Sequence, residues 1–234
     1  MSLSEEEIGA NLASIQSRIS AAATRAGRSS DEITLIAVSK TWPIEVIERA
    51  AAAGQLVFGE NKVQEVTVKS PAMSEALEWH FIGHLQKNKV RKVLECCPWI
   101  HSIDSLELAE RVDRIAADRG VRPKGLLQVN VAGDEAKFGL SMEEARALIP
   151  AMMALPQLEL CGLMTVPEFD PDPEKTRPHF ARLRELRDSL ASEFGVAFPE
   201  LSMGMSHDFE VAIEEGATFV RVGSSIFGQR DYAV

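Results

Sequence analysis

The chain is short of cysteine, of positive charge and of long apolar runs, and each shortage excludes something. Three cysteines in 234 residues, Cys96, Cys97 and Cys161, do not make a disulfide framework. The adjacent pair does not readily bridge itself, and an odd count fits a reducing compartment. A formal net charge of −10 argues against a general nucleic-acid binder, because a phosphate backbone needs a basic surface. No apolar run approaches the roughly 18 to 20 residues of a membrane span. No Cys-x-x-Cys or His-Glu-x-x-His spacing suggests a metal site. The N-terminus, Met-Ser-Leu-Ser-Glu-Glu-Glu, is acidic and lacks the apolar stretch of a signal peptide. Linkers and low-complexity blocks are also missing. The expectation is a soluble cytoplasmic protein, one domain over 1–234, with no metal, no nucleic acid and no membrane among its partners.

What is present is a repeated alternation. Ser4 with Glu7 forms a capping box, and Ile8, Leu12, Ile15 and Ile19 give the helix that follows a buried face up to Gly27. Short apolar runs then recur at 33–38, 56–58, 79–82, 99–102, 125–131, 158–164, 200–202 and 218–222. Each is too short for a helix and reads as a buried parallel strand. Helical patterns follow them at 44–53, 62–69, 87–94, 105–119, 142–153, 174–194, 209–215 and 226–228. Strict βα alternation eight times over predicts a (β/α)8 TIM barrel with an extra N-terminal helix. A doubly wound open sheet is the alternative, weakened because no Gly-x-Gly-x-x-Gly follows the first strand.

A barrel collects its chemistry at the carboxyl ends of its strands. Those positions include Lys40, Asn61, His80, Ser102, Asn130, Met203 to Ser206, and Arg221-Val222-Gly223-Ser224. An isolated lysine after a strand is by default one that snorkels into water. At the mouth of an α/β core, however, a low dielectric favours the free amine, the form needed for Schiff-base chemistry with an aldehyde or ketone. Gly223-Ser224-Ser225 opens the last helical turn and would otherwise read as a plain N-cap. In the eighth loop of a barrel, with Ser206 in the seventh, it reads as an anion cradle. Lysine and cradle are neighbours across the barrel closure. An aldehyde carrying a phosphate would span them, either pyridoxal 5′-phosphate (PLP) or a phosphosugar.

Several motifs narrow this further: Ala37-Val38-Ser39-Lys40-Thr41, Phe58-Gly59-Glu60-Asn61, Trp79-His80-Phe81-Ile82-Gly83, Leu201-Ser202-Met203-Gly204-Met205-Ser206, and Val220-Arg221-Val222-Gly223-Ser224. With them the chain resembles the pyridoxal phosphate homeostasis protein family, single-domain relatives of the alanine racemase barrel, from about residue 33 to Tyr232. The resemblance implies a fold-type III PLP-binding barrel with PLP as cofactor, held as an aldimine on Lys40. It implies that Ser206, Gly223 and Ser224 bind the phosphate and that Arg221 faces the pyridine nitrogen. Asn61, His80 and Met203 fall in motifs that line the pocket. Trp42, His84 and Lys87 depart from the family pattern, and Ser224 replaces a frequent threonine while keeping the hydroxyl.

PLP enzymes need an electron sink and placed acid and base groups. A cation at Arg221 disfavours protonation of the ring nitrogen, which weakens the sink. The expected function is therefore PLP homeostasis, with no catalytic residues: a monomer that buffers or delivers the cofactor, with apo PLP-dependent enzymes as recipients. The alternative is an amino-acid racemase of the same fold type, for which His80 or His207 is the available second base. A Schiff-base aldolase would take the phosphosugar instead. The basic run 87–92 reads as a solvated helix face.

Overall fold

Eight parallel strands close on themselves in chain order, as the strict βα alternation predicts. They are β1 (Thr34–Val38), β2 (Val57–Glu60), β3 (Glu78–Phe81), β4 (Trp99–Ile103), β5 (Lys124–Gln128), β6 (Glu159–Met164), β7 (Glu200–Met205) and β8 (Phe219–Val222). The helices are α1 (Glu5–Arg25), α2 (Ile44–Ala52), α3 (Val63–Ala72), α4 (Val90–Val93), α5 (Leu106–Arg119), α6 (Met142–Met153), α7 (Arg177–Phe194), α8 (Phe209–Glu214) and α9 (Ser224–Phe227). The computed structural model describes residues 3–134 and 138–229. Closure is made by β1 against β8, in register from Thr34 opposite Phe219 to Ala37 opposite Val222.

Helix α1 is the extra element. Its capping box forms as the sequence predicts, with Ser4 and Glu7 bonding reciprocally. Its apolar stripe, Ile8, Leu12, Ile15 and Ile19, is buried. The helix packs against α2, α8 and α9. Arg18 pairs with Glu210 at 2.8 Å, and the Asn11 carboxamide donates to the Ile226 carbonyl at 2.9 Å. So α1 braces the two helices that follow β7 and β8.

Two apolar bodies sit on either side of the barrel wall. The larger lies between strands and helices and includes Phe58, Trp79, Phe81, Leu127, Leu163 and Met203. The smaller fills the barrel interior: Ile36, Trp99, Leu126, Cys161, Met164 and Phe219. Alternation along β3 and β4 sends His80 and His101 inward, where both are fully buried. His80 stacks on Trp99 at 5.3 Å, and Phe219 meets both histidine rings edge-on or tilted.

The carboxyl ends of strands differ from the sequence expectation by two residues or more at three places. Strand β2 runs through Gly59 and Glu60, because a glycine there is needed for close packing: a Cβ would meet Ile36 Cγ2 at 2.7 Å. Strand β5 stops at Gln128, where the chain folds back and Val129 bridges to Leu140. Strand β7 extends to Met205, past Ser202, with a register shift against β8 between those residues. That last difference moves the seventh rim position by three residues.

Candidate functional site

A cavity of about 410 Å³ opens at the carboxyl ends of β1, β2, β7 and β8, within the usual range for a small-molecule site. Lys40, Asn61, Ser206, Arg221, Gly223 and Ser224 all line it. Residues from 40 to 224 thus meet at one mouth, because barrel closure sets the loops after β1 and β8 side by side.

The backbone around Lys40 is held from below by a buried polar cluster. Lys69 Nζ donates to the Ser39 carbonyl at 2.9 Å, to Glu60 Oε1 at 2.6 Å and to Glu65 Oε2 at 2.8 Å. The Ser39 hydroxyl donates to Glu60 Oε1 at 2.7 Å, and the Thr41 amide donates to Glu65 Oε2 at 2.5 Å. Residues on both sides of Lys40 are therefore tied to one ion network. Burial pushes the Glu60 carboxyl up, against the pull of Lys69 and Ser39. Burial also acts on Glu65, but the bonds from Lys69 and the Thr41 amide outweigh it and hold that carboxyl low. Thr41 has φ +68°, the left-handed region that a β-branched residue avoids, so the turn that presents Lys40 carries backbone strain.

Opposite Lys40, loops seven and eight are bonded to each other. The Gly223 amide donates to Ser206 Oγ at 3.2 Å, and the Ser225 hydroxyl donates to the Ser206 carbonyl at 3.4 Å. Ser206 does not cap α8, as its place before the helix suggests. Asp208 takes the position before that helix and accepts from the Met205 amide at 2.7 Å. Trp42 packs on Phe227 of α9, centroids 6.0 Å apart, and so couples the Lys40 loop to the eighth.

Arg221 forms the inner wall. It is buried, donates through Nη1 to Ser202 Oγ at 2.5 Å and through Nη2 to the Thr165 carbonyl at 2.9 Å. Burial pulls its pKa down to about 10, with Asp208 opposing. On the other side, Asn61 Oδ1 is buried with no hydrogen-bond partner among the described residues. Asn61 is set by a close approach: a Cβ on Gly83 would stand 2.1 Å from the Asn61 carbonyl, so only glycine fits there.

Two residues expected at the pocket do not line it. His80 lies inside β3 and points down the barrel axis, and Met203 lies inside β7 and is buried in the outer core. His80 is one residue short of the end of β3, and Met203 is two short of the end of β7. Met205, at the true end of β7, lines the cavity instead, as do Val38, Ile82, Val166, Phe169 and His207. The Phe169 ring lies 4.6 Å from His207. Met205 falls within the rim positions 203–206 that the sequence marks, whereas His207 was expected only as an alternative base; Val166 and Phe169 sit in a Pro- and Asp-rich loop that carries no apolar signal.

The departures at the rim also have partners. His84 stacks on Phe138 at 4.0 Å and faces Asp104 at 3.1 Å. Lys87 pairs with Glu107, and Arg91 pairs with Asp118 at 3.3 Å, so part of the basic run is neutralised by α5.

Residues 10–231 match the family described as "Alanine racemase, N-terminal domain". A pyridoxal phosphate homeostasis protein of Aquifex aeolicus is 46% identical over 222 residues, covering 94% of this chain and 97% of that one. The protein of the same name from Escherichia coli K12 is 44% identical, over 97% and 98% of the two chains. The solved structure of PipY from Synechococcus elongatus with PLP bound superposes with a TM-score of 0.84 at 39% identity, covering 94% of this chain and all of that one. The chain belongs to the alanine racemase N-terminal domain family, among the pyridoxal phosphate homeostasis proteins.

Proposed function

We propose that this chain binds PLP at the cavity of Lys40 and serves as an intracellular holder of the cofactor in PLP homeostasis. The observation that carries the reading is the convergence of Lys40, Ser206, Gly223, Ser224 and Arg221 on one cavity. PLP supplies an aldehyde that condenses with a primary amine and a pyridine ring that can draw electrons from a bound amino acid. Lys40, which lines the cavity, is the amine that would condense with the aldehyde. The bonded pair of loops at Ser206 and Gly223 is suited to the phosphate, with hydroxyls and amides as donors. The unpartnered Asn61 Oδ1 is a further polar atom left for a ligand.

Arg221 favours a holder over an enzyme. A guanidinium has donors only, so a ring nitrogen set against it acts as acceptor and stays unprotonated. The electron sink that amino-acid chemistry needs is thereby weakened. A racemase of weak activity has one observation on its side, since His207 lines the same cavity. Its Nε2 stands 3.5 Å from Asp208 Oδ2 and its ring lies against Phe169. In this reading the protein is a cytoplasmic monomer, and its partners are PLP and apo PLP-dependent enzymes. Three unpaired cysteines support the reducing compartment.

The test is the visible spectrum with PLP added, before and after borohydride, followed by peptide mass mapping. A yellow band that reduction removes, leaving a pyridoxyl mass on Lys40, is the expected result, with Lys40→Ala colourless. A label on another lysine, or no band, would overturn the reading. Incubation of the loaded protein with L- or D-alanine should leave each enantiomer unchanged; steady racemisation would favour the enzyme.

A further inference from the structure

A continuous hydrogen-bonded chain runs down the barrel axis from Arg221 to the opposite mouth. Arg221 Nη1 donates to Ser202 Oγ at 2.5 Å, and Ser202 Oγ is 2.8 Å from His101 Nδ1. His101 Nε2 is 2.8 Å from His80 Nδ1, and His80 Nε2 is 2.8 Å from Glu78 Oε1. Glu78 is about half exposed and borders a second cavity, of about 620 Å³, lined also by Ser70, Trp79, Cys96 and Pro98.

With both rings neutral, the carboxylate end of the chain determines where every proton lies. A guanidinium has no acceptor and a carboxylate has no proton. Glu78 accepts only, so His80 carries its proton on Nε2 and donates to it. A neutral His80 then accepts at Nδ1 from His101 Nε2, and a neutral His101 accepts at Nδ1 from the Ser202 hydroxyl, whose oxygen accepts from Arg221. Both imidazoles are neutral in this arrangement, in keeping with burial, which holds each below the ordinary histidine range; at His101 the charges of His80 and Arg221 add to it, while at His80 the Glu78 carboxylate opposes it. Reversing the chain would require Glu78 to donate to His80 Nε2, which a carboxylate cannot do.

Arg221 is a buried cation with no carboxylate at ion-pair distance among the described residues; its other partner is a carbonyl. Buried charges require compensation. Three aligned dipoles, those of Ser202, His101 and His80, ending on a carboxylate supply it, since each bond polarises the next. We propose that Ser202, His101, His80 and Glu78 are positioning residues for the cofactor site. They orient Arg221 and lend it the negative charge of Glu78, so that a residue at the far mouth of the barrel tunes the group facing the cofactor ring. This rests on the PLP reading above.

The experiment has two arms. In the PLP-free protein, labelled with 15N-histidine, long-range 1H–15N spectra should show His80 and His101 neutral and protonated on Nε2 at pH 7. A Nδ1-protonated or charged form of either ring would overturn the relay, whatever the cofactor does. In the loaded protein, the pH midpoint of the visible band is compared in wild type, Glu78→Gln, Ser202→Ala and the double variant. Removing the negative charge makes a protonated cofactor less favourable, so Glu78→Gln should lower the midpoint by on the order of half a pH unit. The charges facing the relay besides Glu78 are Glu200, Lys124 and Arg221, and all three are kept. The double variant should shift no further than Ser202→Ala alone, because the chain is already cut. An unmoved midpoint in Glu78→Gln, or additive shifts, would overturn the coupling; a structural role alone leaves the midpoint where it is. If wild type shows no band at all, the PLP reading fails, and the imidazole spectra still decide the relay. Should Ser202→Ala not fold, Glu78→Gln, changed only at a half-exposed side chain, decides the coupling alone.

Discussion

At the residue scale, the costliest side chains in this barrel are the two imidazoles and the guanidinium inside it. Burial, the dominant cause, holds His80 and His101 below the ordinary imidazole value of 6.5. The unfolded chain takes up protons near that value and the folded one does not. Stability from these two groups is thus fully present above pH 6.5 and is lost as pH falls below it, by up to about 1.4 kcal/mol per pH unit for each ring. Glu60 acts in the opposite sense, because burial raises its carboxyl and the folded state then gains the proton first. Urea unfolding at pH 7.5, 6.5 and 5.5 should show the midpoint falling with an unchanged slope on denaturant. A midpoint that holds or rises to pH 5.5 would mean that the rings are not both held neutral. His80 also shows how a residue can be right in its motif and wrong in its place. It was expected at the pocket and reaches it only through three intervening groups.

At the element scale, the turn after β1 depends on α3 and β2 for its shape. Glu60 is fully buried, and Lys69 is the cation that faces it, at 2.6 Å. Lys69→Met would leave that carboxylate uncompensated, at a cost of about 3–5 kcal/mol. The loss should be greater at pH 8 than at pH 5, where Glu60 can take up a proton. Glu60→Gln in the same chain should recover part of it. Thermal melts of wild type and the two variants at both pH values check this; equal losses at the two pH values would show that charge is not the cause. A second requirement lies in β7, where Gly204 has φ +90° and a Cβ would meet Ala212 at 2.6 Å. Strand β7 and helix α8 approach each other there through a glycine. These contacts explain why Lys40 sits on a strained turn at all: the network holds Ser39 and Thr41 at the expense of Thr41's own preference.

At the scale of the whole molecule, one end of the barrel gathers the candidate site and the other opens on Glu78. The Lys40 cavity is a mouth, with Phe169 about two-thirds exposed beside it. A holder built this way should release its cofactor as well as keep it. Loaded protein mixed with an apo PLP-dependent enzyme should activate the enzyme faster than PLP dissociates into buffer, with the rate rising with enzyme concentration. Activation no faster than free release would leave buffering and remove delivery. Sedimentation of the loaded protein should return a mass near 25.7 kDa, the mass of one chain; a value near twice that would replace the monomer with a dimer.

The sequence by itself determined the order of elements and hence the barrel. Apolar runs of three to seven residues between helical patterns, repeated eight times, leave few other ways to bury both faces of a parallel sheet. It also marked Lys40, Asn61, Ser206, Arg221, Gly223 and Ser224, because each directly follows or ends a strand and chain order already implies the rim. Only the tertiary structure decided where strands stop and which way residues within them point. Strand ends depend on contacts with neighbours, such as the β7–β8 register shift between Ser202 and Met205, past which the strand leaves Met203 in its interior. The relay from Arg221 to Glu78 joins five residues on four strands that no local pattern links. It exists because closure of the barrel brings inward-facing positions of β3, β4, β7 and β8 within hydrogen-bond distance along one axis.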